Sequence, residues 1–100
     1  MIYEMKSTSP QMEIELKGRL TFSDYSIFRE ISDYVNQFNP KSCLLNLKDL
    51  EFIDSAGLGM LLIVRDKLAA KNGLVILKNS QGQVKKMLTL GNFESLFSVE

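Results

Sequence analysis

Short apolar runs alternate with longer amphipathic ones along the whole chain, and this alternation restricts the fold more than any other property. Met12, Ile14 and Leu16 alternate with Glu13, Glu15 and Lys17, the period of a half-buried strand over Met12–Lys17. A shorter strand over Ile2–Lys6 precedes it across a Ser7-Thr8-Ser9-Pro10 turn, and Gly18 closes the second strand. Ser23 and Asp24 then start a helix. Its Ile27, Ile31, Val35 and Phe38 recur at helical spacing, with Phe28 and Tyr34 flanking, and Asn39-Pro40 stops it.

The pattern repeats twice. Ser42–Leu47 reads as a strand covered on both faces, and Leu50, Phe52 and Ile53 carry the core onward. A second helix is predicted from about Ala56 to Lys71, ended by Asn72-Gly73. Leu74–Leu77 is a buried strand. Ser80 and Gln83 match a capping box at the start of a third helix. Its inner stripe is Val84, Met87, Leu88 and Leu90; Gly91 ends it, and Phe93–Val99 closes the chain as a strand. The order β-β-α-β-α-β-α-β predicts one α/β domain over residues 1–100, a mostly parallel sheet packed with helices.

Charge and composition exclude several functions. Twelve Lys and Arg balance twelve Asp and Glu, which argues against nucleic acid as a main partner. No apolar run approaches the ~20 residues that span a bilayer, so no membrane insertion is expected. Met1–Lys6 lacks a basic segment followed by an apolar stretch, so no signal peptide is expected and the chain reads as cytoplasmic. The single cysteine, Cys43, lies in an apolar run and is expected to be a small buried hydrophobe. No histidine is present, which removes the commonest general base and metal ligand. No nucleophile has a base at suitable spacing, and no Gly-rich loop carries a lysine for phosphate. Asp49, Glu51 and Asp54 are read as solvated loop acids, so no cofactor and no metal are expected and the chain is not read as an enzyme.

One stretch points to a function. Asp54-Ser55-Ala56-Gly57-Leu58-Gly59 lies between an apolar strand and a helix. A serine there is exposed, and the helix start behind it favours negative charge. The site suits a serine that receives a phosphate better than one that acts as a nucleophile. Gly57 and Gly59 let another backbone, or a kinase active site, come close. On the second helix Leu58, Leu61, Leu62, Leu68 and Ala69 form the expected core stripe. The opposite side carries Ala56, Met60 and Ile63, a candidate docking surface beside Ser55; burial under a neighbouring element is the alternative. Arg65 lands inside the core stripe, with its head group expected to reach the edge.

Leu44–Leu47, Asp49-Leu50, Phe52-Ile53 and the hexapeptide 54–59 together resemble the STAS domain, named for sulfate transporters and anti-sigma factor antagonists. Gly18-Arg19-Leu20, Asn72-Gly73-Leu74 and Leu90-Gly91-Asn92-Phe93 are similar to further family segments. The resemblance implies a STAS-type fold and a switch. An anti-sigma factor antagonist of this kind binds a serine protein kinase that doubles as an anti-sigma factor. Phosphorylation of the motif serine releases that partner, and a PP2C-type phosphatase restores the contact. Carried over by position, the phosphorylated residue is Ser55, and Asp54, Ala56, Gly57, Gly59, Met60 and Ile63 are the partner-binding candidates. A monomer or weak dimer is expected. Many relatives have aspartate where Thr21 stands, and the extra C-terminal helix many of them carry is expected to be missing. The alternative within the family is an accessory subunit of a lipid transporter or of a stress-signalling scaffold.

Overall fold

The computed structural model describes residues 1–8 and 10–100; Ser9, in the expected Ser7–Pro10 turn, lies outside the described residues. Strand β1 (Ile2–Thr8) pairs antiparallel with β2 (Gln11–Leu20), from Ile2 opposite Lys17 to Thr8 opposite Gln11. All remaining pairings are parallel. The first half of β2 pairs with β3 (Ser42–Asn46), which pairs with β5 (Leu74–Lys78), which pairs with β6 (Ser98–Val99). The sheet order is β1-β2-β3-β5-β6, and β4 (Leu50–Ile53) pairs with the far half of β2.

A kink in β2 creates that second partner. Gly18 has a φ of +91°, a conformation that costs glycine little and other residues much. The register against β4 shifts between Gly18 and Arg19, and the Gly18 N–H donates to the Asp49 carbonyl at 3.0 Å. In the sequence Leu50, Phe52 and Ile53 read as a continuation of the core, whereas the structure gives them a strand of their own. Four residues are too few for periodicity to register.

Helix α1 (Tyr25–Phe38) follows a 3-10 turn at Phe22–Asp24 and ends on Asn39 in the left-handed region. Its inward face is Phe28, Ile31, Ser32 and Val35. Ile27 and Tyr34 are exposed and Phe38 is half-buried, so the true stripe is rotated from the predicted one. Helix α2 (Ser55–Ala69) ends two residues earlier than predicted, and Asn72 rather than Gly73 takes the left-handed backbone. Helix α3 (Gly82–Leu90) lacks the predicted capping box. Its N-cap is Gln81, whose side chain donates to the Lys48 carbonyl rather than capping the helix, while Gln83 bonds the main chain of Ile53. The last segment forms a 3-10 turn at Phe93–Ser95 before the two-residue β6. Phe93 and Phe97 stack there, ring centroids 5.5 Å apart.

The core lies between one face of the sheet and the helices. Met12, Ile14 and Leu16 from β2, Cys43 and Leu45 from β3, and Val75 and Leu77 from β5 all point into it. Leu44, Asn46 and Ile76 on the alternate positions are only half-buried, so β3 is covered on one face and not on both. Among the described residues no helix is long and apolar enough to cross a membrane.

Candidate functional site

Strand β4 delivers Asp54 to the mouth of α2. Asp54 has extended backbone angles and is the N-cap residue. Its Oδ1 accepts the Gly57 N–H at 2.7 Å, and its Oδ2 accepts the Phe22 N–H at 3.1 Å. The Asp54 N–H itself donates to the Leu20 carbonyl at 3.3 Å, and its carbonyl accepts from Leu58 at 3.0 Å. One carboxylate thus starts α2 and ties it to the turn after β2.

Ser55 is the first residue of α2 and is exposed. Because Asp54 does the capping, the Ser55 hydroxyl is not needed for it. Among the described residues that hydroxyl takes part in no side-chain hydrogen bond of this site.

The two glycines differ. Gly57 is buried, and a Cβ built on it lies 2.5 Å from the Leu20 carbonyl oxygen and 2.7 Å from Ile53 Cγ1. It admits the chain's own β2 and β4, so internal packing, rather than access for another protein, explains it. A Cβ on Gly59 meets nothing within 4 Å, which leaves that face open.

The predicted docking face is divided in the same way. Ala56 is half-buried, Ile63 is 43% exposed, but Met60 is only 3% exposed. Helix α1 packs against α2 there, so Met60 is a core residue and is withdrawn from the docking surface. The buried face of α2 is Gly57, Met60, Leu61, Val64 and Leu68, with Leu58 and Leu62 half-buried and Ala69 exposed. Its apolar residues point several ways because the helix has neighbours on more than one side.

The structure adds residues that periodicity could not reveal. Phe22 is 77% exposed, although its N–H is held by Asp54, and Tyr25 is exposed one turn further on. Arg19 lies over the Phe52 ring, 4.3 Å from its centroid, one position before the Leu20–Ile53 pair. Thr21 caps the 3-10 turn. Its N–H donates to Asp24 Oδ2 at 2.9 Å, and its hydroxyl lies 2.9 Å from that of Ser23. Burial pushes the Asp24 carboxyl up. The bond from Thr21 and the amino terminus 3.0 Å away outweigh that and hold it below the usual carboxylate range. Arg65 donates from Nε to the Leu96 carbonyl at 2.6 Å, which fastens α2 to the C-terminal segment.

Comparison with known proteins agrees with this geometry. The chain is 33% identical over 89 residues to a STAS-domain containing protein of Pseudomonas aeruginosa (strain UCBPP-PA14), covering 89% of this chain and 87% of that one. It superposes on the anti-sigma factor antagonist SpoIIAA in its unphosphorylated form with a TM-score of 0.75 at 25% identity, over 99% of this chain and 87% of the other. The Bacillus cell fate determinant SpoIIAA in its phosphorylated form gives a TM-score of 0.77 at 22% identity, over 99% and 91%. The family model described as the STAS domain matches residues 3–100. With a family model matched over nearly its whole length and a relative one-third identical, the chain belongs to the STAS domain family.

Proposed function

We propose that this chain is a phosphorylation-controlled binding module of the anti-sigma factor antagonist type, with Ser55 as the modified residue. The observation that carries the reading is the division of labour at the α2 mouth. Asp54 supplies both structural hydrogen bonds, while Ser55 stands exposed beside it with its hydroxyl free for chemistry. Similarity to SpoIIAA, solved in both unphosphorylated and phosphorylated forms, supports it.

A phosphate on Ser55 adds about −1.5 to −2 charges next to the Asp54 carboxylate. The first-turn amides of α2 favour negative charge, so the fold tolerates the group. A partner fitted to a neutral hydroxyl must instead desolvate two like charges. A contact pair costs ~1 to 4 kcal/mol in a wet to intermediate dielectric. Each ~1.4 kcal/mol is tenfold in affinity, so one phosphate shifts binding by orders of magnitude. The partners in this reading are a serine kinase acting as an anti-sigma factor and a PP2C-type phosphatase, in the cytoplasm. The surface around Ser55 that meets the kinase comprises Asp54, Ala56, Gly59 and Ile63, together with the exposed Phe22 ring.

The test is affinity capture from the native cell with wild-type, Ser55→Ala and Ser55→Asp proteins. Ser55→Ala is expected to retain a protein kinase, and Ser55→Asp to lose it. Stoichiometric phosphorylation of Ser55→Ala by that kinase overturns the site, and equal capture by all three overturns the switch.

A further inference from the structure

Between α1 and α2 lies a half-open groove of about 320 Å3, lined by Tyr25, Phe28, Arg29, Ser32, Met60, Ile63 and Lys67. The volume falls at the small end of the ~300–1,000 Å3 typical of small-molecule sites. Phe28 and Met60 form an apolar floor, buried to 2% and 3% exposure, and Ile63 forms one wall.

One feature of this groove has no structural explanation within the chain. Ser32 is 3% exposed, and its Oγ has no hydrogen-bond partner among the described residues. A buried hydroxyl left unpaired costs ~1–3 kcal/mol, so such groups normally meet a partner. Ser32 lines the groove, and a change of its χ1 rotamer turns the hydroxyl towards a group bound there.

The charges locate the polar end. Lys67 Nζ lies 4.0 Å from Asp33, and Lys71 donates to the Asn36 side chain at 2.9 Å. These rungs set the two helices side by side in the same direction. Ser32, next to Asp33 in the chain, therefore lies at the level of Lys67. Arg29, one turn earlier on the same α1 stripe, adds a second cation to the lining. The groove is basic and hydroxylated at this end, and aromatic and apolar towards Tyr25 and the start of α2.

We propose that this groove binds a small organic monocarboxylate. Its apolar body lies on Phe28 and Met60 against Ile63, and its acid group meets Lys67 and Arg29 and takes the hydrogen bond of Ser32. A single anionic head matches two rim cations of which one, Lys67, is shared with Asp33. The site shares Ile63 with the proposed kinase-facing surface but does not include Ser55, and it needs neither kinase nor phosphate.

The experiment is a titration of the 15N-labelled, unmodified protein with 1-naphthoate, and with 1-naphthalenemethanol as the neutral match. Saturable amide shifts are expected on the groove stripes of α1 and α2, with the alcohol binding about tenfold more weakly, a difference of ~1.4 kcal/mol. Lys67→Ala and Arg29→Ala, both at the surface, are each expected to weaken naphthoate severalfold while leaving the alcohol unchanged. Ser32→Ala is expected to weaken naphthoate and to leave thermal stability unchanged or raised. Equal binding of acid and alcohol, shifts that map away from the groove, or no saturation overturns the proposal.

Discussion

The Asp54 carboxylate accepts the backbone N–H of Phe22, 32 positions earlier in the chain, at 3.1 Å. With the 2.7 Å bond from Gly57, it couples the turn after β2 to the start of α2. Asp54→Ala removes both bonds. The lost cap alone is expected to destabilise the protein by about 1–2 kcal/mol. For a domain of this size that corresponds to a fall in melting temperature of about 4–8 °C per kcal/mol, read by calorimetry. Asp54→Asn, which keeps one acceptor oxygen, is expected to lose less.

The glycines of the same turn are expected to respond in opposite directions. Gly57→Ala places a methyl group 2.5 Å from the Leu20 carbonyl oxygen, a backbone atom that cannot swing away. A loss of about 1–3 kcal/mol in urea denaturation is expected from overpacking. Gly59→Ala meets open space within a helix and is expected to stabilise by about 0.5–1 kcal/mol. Because that methyl stands on the proposed kinase-facing surface, the same variant is expected to weaken capture of the kinase.

Gln83 bridges both main-chain groups of Ile53: its Oε1 accepts the N–H and its Nε2 donates to the carbonyl, each at 2.9 Å. Gln83→Ala leaves both without that partner, and a cost of about 1–3 kcal/mol is expected. Gln83→Glu retains the acceptor and loses the donor, so its midpoint in urea should fall between those of wild type and Gln83→Ala.

Burial raises the Cys43 thiol to a pKa of about 12. The thiolate is the reactive form, so the native protein should be inert to a disulfide reagent at pH 8. Full reaction of one thiol is expected only in denaturant. Rapid labelling of the folded protein would contradict the burial.

Asp24 gives a pH dependence of known sign. Its folded value is lowered, so its contribution is fully present above the ordinary carboxylate value. It is lost as the pH falls through the folded value. Stability measured from pH 6 down to pH 2 should therefore decline less steeply in Asp24→Asn than in wild type.

The strands of the central sheet were readable because burial on one face writes a two-residue period into Met12–Lys17. The Asp54–Gly59 turn was readable because its residue types and its place between strand and helix coincide. The phase of α2 was not. With apolar residues at positions 58, 60, 61, 62, 63 and 64, the sequence offers no single greasy side, and α1 decided that Met60 is covered. Gln83 was misread for a related reason. Its spacing from Ser80 fits a local cap, but its partner lies 30 residues away. Phe22 shows the same limit: nothing within a few residues of it signals that a distant carboxylate will hold its backbone and leave its ring in water.

Strand β4 lies outside the main sheet order, with β2 on one side. On its other side the Gln83 amide imitates one rung of a neighbouring strand. An unguarded rim of main chain is a template on which a second molecule can add its own strand and begin a polymer. By filling that rung from within, the protein leaves the adjoining Ser55 turn exposed without inviting copies of itself to zip onto it.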